Sequence, residues 1–191
     1  MRLNDTKSGY GWISIAFHWL TAAVVIAMWT IGSLAQGDAQ GEGQGGGHAG
    51  GFDFLHLHTT IGITAYVLLW ARIIWRFKVG HPGPRAGQSA TLYPFAKAVH
   101  YLLLLALGVA LVSGPLTVWL AGDAIEAFSL ALPSPFGKLP AAQDIARNVH
   151  GVTTMVVFGA IALHVLAVIK HAVFNRDGTF DKIMVADGER E

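Results

Sequence analysis

His150 and His164 lie 14 residues apart in one apolar stretch, RNVHGVTTMVVFGAIALHVLAVIKH, residues 147 to 171. On an α-helix that spacing separates them by about 21 Å along the axis and by only about 40° around it, so both face one side at two depths. Neutral imidazole is a common metal ligand, and an ionisable group inside an apolar helix marks a functional position. Each of the two has a counterpart at its own depth on another apolar run: His58 opposite His150, and His18 opposite His164. Two imidazoles on facing helices of a bundle, each giving one nitrogen to iron, clamp a flat haem. The pairs His58 with His150 and His18 with His164 therefore predict two b-type haems, with these four histidines as axial iron ligands.

The residues around the pairs fit that reading. Gly62 lies one turn beyond His58 and Gly151 follows His150, placing backbone without side chains where a macrocycle needs close approach. Arg72, 14 residues beyond His58 on the same face, is at the depth of the second haem, where its guanidinium can pair with a propionate or reach lipid headgroups. His56 points about 200° away from His58, so only one of the two faces the bundle, and Gly62 favours His58. His100, at the start of the third apolar run, has a depth that rivals His18, and spacing alone leaves that choice open. With no cysteine in the chain, disulfides, thiolate chemistry, iron–sulfur clusters and covalent haem attachment are excluded.

The elements that must position these groups are membrane helices. Of 191 residues, 53% are hydrophobic and 13% charged, well outside the balance of a soluble domain. The formal charge of +1, with no basic block, excludes a nucleic-acid interface. Runs without Asp, Glu, Lys or Arg extend over 8–37, 54–71, 98–122 and 148–169; each approaches or exceeds the ~20 residues that span a bilayer. They predict an all-α integral membrane protein, a four-helix transmembrane bundle of helices at 12–35, 54–77, 96–121 and 147–172, forming a single domain over 1–191. Arg72 and Arg76 near the end of the second helix are accommodated by snorkelling. Eleven Lys and Arg fall on the side of the termini and two, Lys138 and Arg147, on the other, so the positive-inside rule puts both termini in the cytoplasm.

The first outer connection, QGDAQGEGQGGGHAGGFD, is a flexible Gly-rich loop in which His48 is a solvated residue. The second, GDAIEAFSLALPSPFGKLPAAQD, has enough apolar residues for a short surface helix broken at Pro-Ser-Pro. Reading the first span as a cleaved signal peptide conflicts with its length, since a signal core has roughly 7 to 15 apolar residues.

The pieces SIAFHW, HTTIG with Arg72 downstream, HYLLLLALGVALVSG, and His150 with His164 and His171 resemble the bacterial dihaem cytochrome b561 family of inner-membrane proteins, which includes superoxide oxidase. The likeness spans nearly the whole chain and implies a multi-pass protein of the bacterial inner membrane. It also implies that His18 and His164 bind one haem b and His58 and His150 the other, which settles His18 over His100. It suggests superoxide as the electron donor at the outer face and ubiquinone as the acceptor near the cytoplasmic side. Gly151 stands where relatives often carry an acidic residue, so the resemblance does not carry a proton-handling role over to that position.

His171 lies seven residues beyond His164, almost on the same face and about 10 Å nearer the cytoplasmic surface. With His100 and Lys97 entering at that level, it outlines a quinone pocket whose reduction draws protons through the imidazoles. The outer face carries six carboxylates, Asp38, Glu42, Asp53, Asp123, Glu126 and Asp144, against Lys138 and Arg147. That excess opposes long-range steering of an anion, and only a patch around Arg147 offsets it. Two other classes compete: a haem-b membrane anchor that transfers electrons for a separate dehydrogenase or soluble cytochrome, and a histidine-lined zinc or copper binder without haem.

Overall fold

The computed structural model describes residues 2–42, 53–83, 92–176 and 178–187. Its four long helices follow the four apolar runs: α1 (Trp12–Glu42), α2 (Phe54–Val79), α3 (Leu92–Trp119) and α4 (Pro140–Ile169). All four are long and apolar enough to cross a membrane. Val67, Leu105, Leu163 and Leu166 lie exposed on the helix exteriors, while the buried set is dominated by small and polar residues such as Ser14, Ala65, Thr60, Ala106 and Ser113. Small residues allow close helix approach, and apolar exteriors suit a hydrocarbon solvent.

The helices outrun the expected spans where the flanking sequence favours helix without being apolar. α1 continues to Glu42 rather than 35, and α4 starts at Pro140 rather than 147. The extra seven residues of α4, PAAQDIA, about two turns, combine Pro at the first helical position with good helix formers. Gln143 and Asp144 exclude that stretch from lipid without breaking its backbone hydrogen bonds. At the start of α2, Asp53 caps the helix by accepting the His56 backbone N–H at 2.8 Å. Beyond Ile169 the chain passes into a π-helical turn, Lys170–Asn175, closed by Arg176 in the left-handed region at φ 48°, and a short helix α5 (Asp181–Met184) follows.

The second connection is not a surface helix. It folds as an antiparallel hairpin, β1 (Ile125–Ala127) with β2 (Leu130–Leu132), in the register Ile125 to Leu132 and Ala127 to Leu130. Ile125 and Ala127 are buried with Glu126 exposed between them, a period of two that suits a strand rather than a helix. The two-residue turn places Phe128 at φ 54°, and the Thr59 hydroxyl of α2 donates to the Glu126 carbonyl at 3.2 Å. His48 and most of the first connection lie outside the described residues.

Internal contacts divide the chain into two compact units, 1–21 with 70–108 and 155–191, and 22–69 with 109–154. The first holds both termini and is tied by polar contacts close to the chain start. Asp5 accepts the Gly11 backbone N–H at 2.8 Å, the Ser14 hydroxyl at 2.8 Å and Nη1 of Arg76 at 3.2 Å. The indole of Trp75 donates to Ser14 at 2.8 Å, and the Arg76 guanidinium lies 4.9 Å over the Tyr10 ring and also donates to the Gly80 carbonyl. Arg76 therefore does not snorkel: its side chain and that of Asp5 are each 3% exposed. A carboxylate 71 residues away gives the charge a partner within the fold, which removes the need to reach headgroups. At the other end of the chain, Asp187 accepts the Ser8 hydroxyl at 2.7 Å and also that of Thr6.

Candidate functional site

In the second unit, His58 of α2 and His150 of α4 face each other with ring centroids 6.4 Å apart and planes crossed at 87°. Each ring rests on a glycine of a neighbouring helix. A Cβ on Gly32 of α1 would lie 3.1 Å from Cε1 of His58, and one on Gly114 of α3 would lie 3.2 Å from Cε1 of His150. A Cβ on Gly62 would lie 3.1 Å from the Met28 methyl, and one on Gly151 would meet nothing within 4 Å. His58 thus lies between His150 and Gly32.

In the first unit, His18 of α1 and His164 of α4 have ring centroids 6.2 Å apart, tilted by 57°. His18 also meets the Trp19 indole edge-on at 5.3 Å. His100 of α3 lies 5.2 Å from His164, and on its other side it stacks within 10° of parallel on His81, 5.4 Å away. Arg72 places a buried Nη1, without a hydrogen-bond partner, in this same unit.

These separations distinguish the pairs. Two imidazoles bound on opposite sides of one metal, each nitrogen about 2 Å from it, have ring centroids about 6 Å apart. Both His58–His150 and His18–His164 meet that spacing, whereas His100–His164, at 5.2 Å, is closer and His100 already has a stacking partner. Among the described residues there is no group of three or more His, Cys, Asp or Glu side chains suited to hold a metal ion by itself. A bare zinc normally takes four ligands, whereas haem iron needs only two from protein. The donor set, the spacing and the buried Nη1 of Arg72, without a hydrogen-bond partner and suited to a carboxylate, all fit a bis-imidazole haem.

The residues expected around a quinone are placed in two groups. Lys97 holds Nζ 5.8 Å over the Tyr93 ring, and the Tyr93 hydroxyl donates to Pro82 at 2.8 Å, beside His81 and hence near His100. His171 sits in the π-helical turn, 3.2 Å from Asn175. His81, in the segment GHPG, was not signalled by helical spacing because it follows the end of α2.

Burial, reinforced by the positive charges of Arg76, Lys97 and Arg72 and opposed by Asp5, pushes the His81 imidazole down from the ordinary 6.5 to about 4. Between these values the unfolded chain takes up a proton that the folded chain refuses, so stability falls as the pH drops through that window. A His81→Gln variant will show a shallower loss of unfolding midpoint from pH 7 to pH 4.5 than the parent. Equal slopes in thermal unfolding of the two detergent-solubilised proteins would refute this.

A model of the family described as prokaryotic cytochrome b561 matches residues 9–185. The chain is 30% identical over 192 residues to cytochrome b561 homolog 2 of Escherichia coli (strain K12), covering 96% of this chain and 95% of that protein.

Proposed function

Because the chain belongs to the prokaryotic cytochrome b561 family, whose members carry electrons across the bacterial inner membrane with haem b, we propose that His18 and His164 hold one haem b and His58 and His150 the other. The observation that carries this is the pair of facing imidazole pairs, 6.2 and 6.4 Å apart, each with one member on α4. Bound haem b supplies reversible one-electron chemistry. The chain supplies the four nitrogen ligands, and Arg72 contributes a positive charge to a propionate. The glycine seats at Gly32 and Gly114 hold the His58 and His150 rings in place.

The full reading is a superoxide:ubiquinone oxidoreductase with both termini in the cytoplasm, supported by the family likeness and by the eleven-to-two distribution of basic residues. Two superoxide anions give up one electron each and leave as oxygen; ubiquinone takes the two electrons and two protons and leaves as quinol. Superoxide is taken at the outer face near Arg147, three residues before His150 and the nearest basic group to it in sequence. Ubiquinone binds near the cytoplasmic side, where His100, Lys97 and His171 donate hydrogen bonds to its carbonyls and pass protons to them. The π-helical turn around His171 supports a role there, since such turns are frequent at functional sites.

Rapid mixing of the haem-loaded protein with superoxide will produce reduced haem bands, and added ubiquinone will abolish their accumulation while quinol forms. The excess of carboxylates on the outer face favours one other reading, a membrane anchor that receives electrons from a basic soluble carrier. Haems that dithionite reduces but superoxide does not would decide for the anchor.

A further inference from the structure

The motif HYLLLLALGVALVSG of α3 contributes no ligand to the proposed haem held by His58 and His150, yet its last two residues lie against the His150 ring. Ser113 is 4% exposed, and its Oγ lies 3.1 Å from Nδ1 of His150. The same Oγ is 2.7 Å from the Val109 carbonyl and 3.4 Å from the Ala110 carbonyl. A serine hydroxyl has one proton, and the short contact to Val109, one turn back along the helix, takes it. Oγ therefore faces His150 with a lone pair, so Nδ1 of His150 must be the protonated, donating nitrogen. The imidazole is thereby set in the tautomer whose Nε2 carries the free lone pair. Gly114 supplies the surface on which the ring rests.

We propose that Ser113 is a positioning residue for the outer haem: its hydroxyl fixes the tautomer and plane of His150 and tunes the reduction potential of the iron that His150 ligates. This rests on His150 being an axial ligand, as proposed above. Hydrogen bonding from the distal N–H of a ligating imidazole to an oxygen orients the ring and raises its basicity. A more basic ligand donates more electron density, favours ferric over ferrous iron and lowers the potential. Loss of the hydroxyl removes that acceptor, so the potential rises.

The test is spectroelectrochemical titration of the purified haem-loaded protein, with haem counted against protein by the pyridine haemochrome method. Ser113→Ala will shift the midpoint of one haem upward and leave the other in place. It will also move the low-spin ferric electron paramagnetic resonance signal that reports the crossed axial rings. Ser113→Thr, which keeps the hydroxyl, will hold the parental midpoint and signal. Unchanged midpoints and signal in Ser113→Ala with both haems bound would overturn the proposal. If Ser113→Ala loses a haem, retention by Ser113→Thr supports the hydroxyl's role, and equal loss in both variants overturns it in favour of side-chain volume. Haem content is the separate check on the underlying reading: a His150→Ala variant that keeps two haems with parental spectra would remove the ligand assignment itself.

Discussion

His164→Ala will bind one haem instead of two, and His18→Ala will do the same, while His100→Ala will keep both. The three variants separate the residues that crowd around one imidazole, since the rings of His18 and His100 both lie beside that of His164, with centroids 6.2 and 5.2 Å away. Only the longer separation leaves room for a metal between two nitrogens. His100 already stacks on His81 at 5.4 Å, and serving as the ligand in place of His18 would require it to abandon that partner. Haem iron with one axial imidazole removed loses half of its protein ligation, so the expected effect is loss of the group rather than a modest weakening. The haem-to-protein ratio after purification, read with the ferrous absorption bands, checks all three. Two haems in His18→Ala together with one in His100→Ala would reverse the assignment. In either case the haem proposed at His58 and His150 stays, because those histidines and their glycine seats belong to the other unit.

The pairing of these rings was legible because helical geometry converts sequence spacing into direction and depth by arithmetic. His150 and His164 needed only their separation to be placed on one side of α4, and the ends of charge-free runs placed His18 and His58 at matching depths. The same arithmetic did not reach the glycines that meet the imidazoles. Gly62 and Gly151 were read as room for a macrocycle, whereas the backbone beside the His58 and His150 rings is that of Gly32 and Gly114. Which residue of α1 or α3 meets a given ring depends on helix rotation and packing, which no single segment encodes. The hairpin at Ile125–Leu132 was missed because its apolar content was weighed and its alternation was not. His81 and Ser113 were missed for different reasons. One sits in a Gly-Pro loop where no period applies, and the other acts through a hydroxyl that sequence cannot distinguish from an ordinary small residue of a membrane helix.

Arg76 is the case with the largest energetic consequence, and Asp5→Ala will destabilise the protein by about 3–5 kcal/mol, the usual cost of leaving one member of a buried ion pair alone. Both side chains are 3% exposed, so water cannot replace the missing carboxylate without opening the packing. Asp5 also accepts the Gly11 N–H and the Ser14 hydroxyl, so its loss takes the acceptor from two further donors where the chain enters α1. Trp75 Nε1 is bound to that serine, which extends the damage to the end of α2. Asp5→Asn keeps the shape and an acceptor oxygen but not the charge, and will fall between the parent and Asp5→Ala. The thermal unfolding midpoint of the detergent-solubilised holoprotein will drop by on the order of 10 °C in Asp5→Ala. The double variant Asp5→Ala/Arg76→Leu will recover part of the loss, because the remaining cost is cavity and hydrogen bonds rather than an uncompensated charge. A double variant no more stable than Asp5→Ala alone would show that Arg76 finds water or another partner, and that the pair contributes little to holding the chain start against α2.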